Sequence, residues 1–238
     1  MGTKLSVNIN KIATLRNARG GELPSVVDAA LQIQAFGADG ITVHPRPDER
    51  HITKKDVYNL VDVVYKEYNI EGYPNSRFLK LIEDTLPTQA TLVPDPPGTL
   101  TSDAGWDTIT NFDFLKEINE KIKNLGVRTS IFIEPKVELI RAAGEIGVDR
   151  IEFYTGPYAA EYSLNKDNAV APFKVAANVA SELGIGINAG HDLNLENLKF
   201  FRDTIPELLE VSIGHALISD ALYLGLENTV SMYNNLLK

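Results

Sequence analysis

The sequence predicts an α/β protein folded as one (β/α)8 barrel of the TIM type, and three observations carry that prediction. Strand-like apolar runs alternate with amphipathic stretches at a repeat of about 25 to 30 residues. Eight such runs fit into 238 residues, a length at which eight parallel strands and their crossover helices close as a single domain. Four of the helix-like stretches run into a glycine before the next strand, at Gly37, Gly126, Gly147 and Gly184, where a left-handed residue can end a helix and turn the chain back. Alternation alone also allows an open doubly wound sheet. The count of eight favours closure, and no Gly-x-Gly-x-x-Gly follows the first strand.

In chain order, strand one is expected at 5–10 and its helix at 24–36. Strand two falls at 40–45, followed by a helix at 53–67 with Thr53 as a plausible cap. Strand three is read at 69–72 with a helix at 76–86 opened by Ser76, and strand four at 89–93 with a helix at 111–125. Strand five, 127–133, leads to a helix at 136–146, and strand six, 150–155, to one at 168–183. Strand seven, 185–189, precedes a helix at 194–202 opened by Asn194. Strand eight, 209–214, precedes a last helix at 216–237, whose Leu222, Leu226, Val230, Tyr233 and Leu237 form a stripe expected to pack on the barrel. Two connections are long, 94–110 and 156–167. Such loops are either lids and binding loops or plain surface insertions.

Composition bounds the chemistry. Hydrophobic residues at 44% and charged residues at 23% suit a large core with a solvated exterior. With no cysteine, disulfides, thiolate metal sites and thiol nucleophiles are excluded, and a cytoplasmic protein is expected. The N-terminus has too short an apolar run for a secretory signal, and no stretch approaches the ~18 apolar residues of a membrane span. A net charge of −9 argues against broad contact with nucleic acid or anionic lipid. Anionic ligands would need local attraction.

Barrel chemistry sits where strands end and βα loops begin. At those ends stand His44, Glu71, His191 and His215, with His51 in the loop after strand two and Glu152 within strand six, so all four histidines map to one rim. Imidazoles beside carboxylates suit repeated proton transfer near neutral pH, with Glu71 a candidate base if burial raises its pKa. The set His44, Glu71, His191 and His215 could equally bind zinc, and spacing does not separate the two. Glycines after strands seven and eight, in Asn188-Ala189-Gly190-His191 and Ser212-Ile213-Gly214-His215, point to phosphate held by backbone N–H groups. Lys11, Arg16 and Arg19 after strand one, joined by Arg46 and Arg50 after strand two, form a second candidate anion zone.

These residues resemble the pyridoxine 5′-phosphate synthase family. The resemblance is carried by the first-strand segment from Val7 to Gly20 and by Gly37 to His44 with Arg46, Asp48, Arg50 and His51. Further matches are Asn69-Ile70-Glu71, Leu92-Val93-Pro94, Ser130 to Ile133, Ile151-Glu152 with Thr155-Gly156, Asn188 to His191, and Ile213 to Ala216. They run in order along the chain. The resemblance implies ring closure between 1-deoxy-D-xylulose 5-phosphate and 3-amino-2-oxopropyl phosphate, giving pyridoxine 5′-phosphate, phosphate and water, with no organic cofactor, no metal and a homo-octameric assembly. By matching positions it makes His44 and Glu71 proton acceptors, His191 a proton donor and Glu152 a stabiliser of charged intermediates. Asn8, Arg19, Gly214 and His215, with Asp192 through its backbone, would hold the aminoketone phosphate. Asn10, Lys11, Arg46, His51 and Thr101 would hold the deoxyxylulose phosphate. Two positions depart from the family pattern: Lys11 stands where histidine is common, and Asp192 where glycine often follows the histidine.

Overall fold

The computed structural model describes residues 2–95 and 103–238. Eight parallel strands close on one another in chain order: β1 (Lys4–Asn8), β2 (Gly40–Val43), β3 (Glu67–Gly72), β4 (Gln89–Leu92), β5 (Arg128–Ile133), β6 (Arg150–Tyr154), β7 (Gly186–Gly190) and β8 (Leu208–Ile213), with β8 pairing back onto β1. Each end lies within two residues of its sequence-based position. The surrounding helices are α1 (Asn10–Asn17), α2 (Val26–Ala35), α3 (Lys54–Val61), α4 (Ser76–Thr85), α5 (Phe112–Asn124), α6 (Val137–Ile146), α7 (Gly156–Glu182), α8 (Leu198–Thr204), α9 (His215–Leu224) and α10 (Leu226–Leu236).

Strand periodicity divides the residues into two environments. Outward positions such as Val7, Ile41, Ile70, Leu92, Ile131, Phe153, Ile187 and Val211 are buried against the helices and form the hydrophobic core. Inward positions are mostly polar, unlike the branched apolar filling usual for such barrels. Ser6 and Thr42 share a hydrogen bond (2.7 Å), Thr91 donates to Asn69 (2.9 Å), Arg128 Nε donates to Gln89 (2.9 Å) and Arg150 to Asn188 (3.0 Å). Buried Glu67 faces Lys4 at 3.3 Å, Arg128 in direct contact and Arg150 at 3.7 Å, and Arg150 lies equally far from buried Glu210. Charges inside a protein persist only when paired in this way.

Local chemistry explains the helix ends. Thr53 accepts the N–H of Asp56 (3.2 Å) while the Asp56 carboxylate accepts that of Thr53 (2.8 Å), a complete capping box on α3. Gly147 ends α6 at φ 84°, as the sequence suggested.

Several expectations are corrected. A helix, α1, follows β1 at once, in a stretch read as loop. Asn75 rather than Ser76 caps α4, accepting the N–H of Phe78 at 2.9 Å. Asn194 caps a turn before α8, accepting N–H groups of Glu196 and Asn197 (2.9 and 3.1 Å). The segment 156–167 is helical rather than a loop: Pro157 starts α7 in its first turn, and Tyr158 is buried against Phe201 with ring centroids 4.9 Å apart. A break at Asn165 (φ −157°, ψ 93°) restarts the helix, with the Asn165 side chain accepting the N–H of Asn168 (3.1 Å). The last helix is two, parted at Gly225 (φ 79°). Leu222, ahead of the break, is exposed, whereas Leu226 packs against the core and Val230, Tyr233 and Leu237 are buried, so the expected stripe packs from Leu226 onward.

Candidate active site

The C-terminal ends of the strands open on a cavity of about 690 Å³. Its walls come from around the rim: Asn8 of β1, Asn10, Lys11 and Thr14 of α1, His44, Arg46, Arg50 and His51 after β2, Glu71 of β3, Val93, Phe132 of β5, Glu152 of β6, His191 and Asp192 after β7, Ser212 of β8, then Gly214 and His215. The four histidines therefore meet at one hollow. Asn8 Oδ1 accepts the N–H of Asn10, and Asn10 Oδ1 accepts that of His44, both at 3.0 Å, which ties the ends of β1 and β2 together.

His44 and Glu71 are both buried, with His44 Nδ1 3.7 Å from Glu71 Oε2. Burial drives the His44 pKa well below its ordinary value, and the positive fields of Arg46, His51 and Arg50 add to the effect. Burial also pushes the Glu71 carboxyl up to about 8, helped by the negative charges of Asp95 and Glu210 and opposed by Arg46. At neutral pH these opposite shifts favour a neutral imidazole beside a protonated carboxyl. Glu152 is raised well above the usual carboxylate range by burial and then by Glu71. Its carboxyl fits because residue 190 is glycine: a Cβ there would overlap Glu152 Oε1.

The loop after β2 is braced from outside. Arg46 pairs with Asp95 at 2.7 Å, with both residues buried. Arg77 donates to the carbonyls of Pro45 (3.2 Å) and Arg46 (3.1 Å) and pairs with Glu49 (2.6 Å). The His51 ring accepts the N–H of Ile52 at Nδ1 (2.9 Å), and burial with Arg46, Arg50 and Lys11 nearby lowers its pKa to about 4. Opposite, His191 contacts the Asp192 carboxylate at 3.0 Å and meets the Tyr154 ring edge-on with centroids 5.2 Å apart. Gly214 leads into α9, so the positive end of a ten-residue helix opens on the cavity.

Of the residues singled out from sequence, Asn8, Asn10, Lys11, His44, Arg46, His51, Glu71, Glu152, His191, Asp192, Gly214 and His215 line this cavity. Arg19 is exposed and is not part of its wall. Arg16 is not either: its guanidinium is buried against Asp56 (2.8 Å) and the carbonyl of His51 (3.3 Å), so its charge serves the fold. Thr101 lies outside the described residues. Thr14, Val93, Phe132 and Ser212 are wall residues to which the sequence reading gave no role of their own, and Asp95, which pairs with the wall residue Arg46, was not singled out. Strand parity would have found two of them, since Phe132 is in register with Glu152 and Ser212 with Gly190. Among the described residues no three His, Asp or Glu side chains are grouped to hold a metal ion, and no helix is long and apolar enough to cross a membrane.

Among solved structures, orotidine 5′-monophosphate decarboxylase from Methanocaldococcus jannaschii superposes with a TM-score of 0.67 at 11% identity, covering 100% of both chains. For 3-keto-L-gulonate-6-phosphate decarboxylase from Vibrio cholerae the TM-score is 0.66 at 10% identity, covering 100% of this chain and 98% of that one. At such identities the likeness is one of fold. Pyridoxine 5′-phosphate synthase of Bacteroides fragilis is 59% identical over 99% of this chain and 100% of its own length. The same enzyme of Flavobacterium johnsoniae is 57% identical over the same shares. The family model for the pyridoxal phosphate biosynthesis protein PdxJ matches residues 5–238. With that match and those identities running nearly end to end, the chain belongs to the PdxJ family.

Proposed function

We propose that this protein is a pyridoxine 5′-phosphate synthase, joining 1-deoxy-D-xylulose 5-phosphate to 3-amino-2-oxopropyl phosphate with release of phosphate and water. The observation that carries the reading is the meeting of His44, Glu71, Glu152 and His191 at one cavity flanked by two anion-attracting regions. Ring closure requires an amine to condense with a ketone, a phosphate to leave and protons to move several times, which imidazole and carboxyl side chains around one cavity can mediate. His44, neutral in the site, accepts a proton. Glu71 joins it as acceptor once ionised, a state that a cationic amine or iminium beside it favours. His191 returns a proton to the leaving oxygen, and Glu152 stabilises charge on the intermediates.

The two phosphates are assigned to opposite sides. Asn8, Gly214 and His215 hold the aminoketone phosphate at the start of α9, where main-chain N–H groups and the helix dipole favour an anion. The backbone of Asp192 assists there. Asn10, Lys11, Arg46 and His51 hold the deoxyxylulose phosphate, and Thr101 is assigned to the same phosphate by its match to the family. The exposure of Arg19 fits a contact to the aminoketone phosphate of a neighbouring copy, as in a homo-octamer, and the exposed Leu222 and Tyr223 offer apolar surface for association. A cytoplasmic setting suits reactants that are small phosphorylated metabolites. The test is direct: purified protein is mixed with both substrates, and the pyridoxine phosphate absorbance and free phosphate are followed together. Equal amounts of the two products are expected. Folded protein yielding neither would overturn the assignment.

A further inference from the structure

After β7 the backbone makes an unusual excursion: His191 and Asp192 are consecutive non-glycine residues in the left-handed region, at φ 82° and 60°. Side chains tolerate that region poorly, so such a pair persists only where its surroundings over-determine it, commonly at a functional site. The surroundings here do so. The Thr155 N–H and hydroxyl both donate to the Gly190 carbonyl (3.0 and 2.7 Å), and the hydroxyl also contacts the carbonyl of His191. Asn197 Nδ2 donates to the carbonyl of Asp192 at 3.2 Å. With the main chain pinned, the two side chains meet: His191 Nδ1 lies 3.0 Å from Asp192 Oδ2, and Tyr154 presents its ring edge-on to the imidazole.

We propose that Asp192 is a positioning residue for His191, its carboxylate fixing the ring and holding the imidazole in the Nδ1–H tautomer so that Nε2 exchanges protons with substrate. The chemistry of the contact gives the direction. An ionised carboxylate can only accept a hydrogen bond, so the proton between the two atoms belongs to the imidazole. The Asp192 carboxyl is held below the usual carboxylate range by that hydrogen bond, with the fields of His191 and His215 adding, which keeps it ionised at working pH. A nitrogen committed to one partner leaves acid–base work to the other, and the partner's hydrogen bond decides which is which. Carboxylates that orient a catalytic histidine act in this way on unrelated folds. At this position the side chain of Asp192 therefore has a task of its own, apart from any phosphate contact made by its backbone.

This inference rests on the proposed role of His191 as proton donor, yet its first readout needs no substrate. In protein carrying ¹⁵N-labelled histidine, the His191 ring signals are assigned by their loss in His191→Gln. The neutral parent ring should show the Nδ1–H form. Asp192→Gly relieves the left-handed backbone and should fold, while its His191 signals move toward the Nε2–H form. Asp192→Asn, which keeps the size, should lie between, because an amide can either accept or donate. With both substrates, kcat should fall about 10-fold in Asp192→Gly, the size of effect orienting partners commonly have, with each KM changed less than threefold. An unchanged His191 tautomer in Asp192→Gly overturns the proposal, whatever reaction the protein performs. So does a raised KM for either phosphate with kcat preserved, which would assign the side chain to substrate binding.

Discussion

Replacing Gly190 with alanine should damage catalysis far more than stability. The added Cβ would overlap Glu152 Oε1 and come within 3.3 Å of the Ser212 carbonyl oxygen, which belongs to the rigid β8 ladder and cannot retreat. The carboxyl must therefore move. Restoring ordinary contact requires a shift of about 1 Å, and Glu152 is only 3% exposed, so that shift occurs inside a packed layer. Overpacking of this kind costs about 1–3 kcal/mol, which lowers the midpoint of thermal unfolding by about 2–4 °C per kcal/mol in a chain of this size. A catalytic group displaced by about 1 Å can lose about 100-fold in rate. Steady-state turnover and a thermal melt on the same preparation separate the two effects. A Gly190→Ala protein within twofold of parental kcat would show that Glu152 does not need its observed place.

Further outcomes are expected at Glu71, Glu210 and Asp56. Glu71→Gln should reduce kcat by about 100-fold or more, because an amide cannot exchange the proton, while calorimetric binding of either substrate alone changes little; undiminished turnover would remove Glu71 from the mechanism. With Glu71 pushed up to about 8, its ionised form accumulates as pH rises through that value, so a kcat/KM limited by Glu71 as base should climb through the same region. Glu210→Gln removes a buried negative charge that raises Glu71, and should displace that limb to lower pH. Asp56→Ala leaves the Arg16 guanidinium buried without its carboxylate and removes the Asp56 half of the α3 capping box, which should cost about 3–5 kcal/mol in urea unfolding. Because Arg16 and Thr53 hold the Asp56 pKa below its ordinary value, this contribution is complete above the unfolded-state pKa and is lost as pH falls through the folded one. The Asp56→Ala protein should accordingly show a weaker acid dependence of stability than the parent.

The strands were legible because each apolar run coincides with one outward-facing row, and the glycines before them mark the returns. The connections were less so. α1 begins two residues after β1 and reads as loop, since its Asn, Lys and Arg residues carry charge patterns that binding loops share. In 156–167, Gly-Pro and the polar tail imitate a loop, yet Pro157 opens a helix and Asn165 restarts one. At the site, His44, Glu71, Glu152, His191 and His215 stood out by residue type at strand ends. Phe132 and Ser212 did not, because an aromatic and a small hydroxyl are ordinary anywhere. Arg16 looked like an anion ligand until Asp56, forty positions away, claimed its charge. Long-range pairing of that kind leaves no local trace in a sequence.

The lining of the barrel has a consequence for how this protein can diverge. Glu67, Arg128, Arg150, Asn188 and Glu210 are largely one another's solvation, with the exposed Lys4 at their edge, so none of the five can turn apolar without stranding a neighbour. Change there has to arrive in compensating sets: Arg150→Leu with Glu210→Leu should cost less than the sum of the two single changes. Drift is thereby slowed beneath the catalytic floor, while the outer faces of the helices remain at liberty to vary.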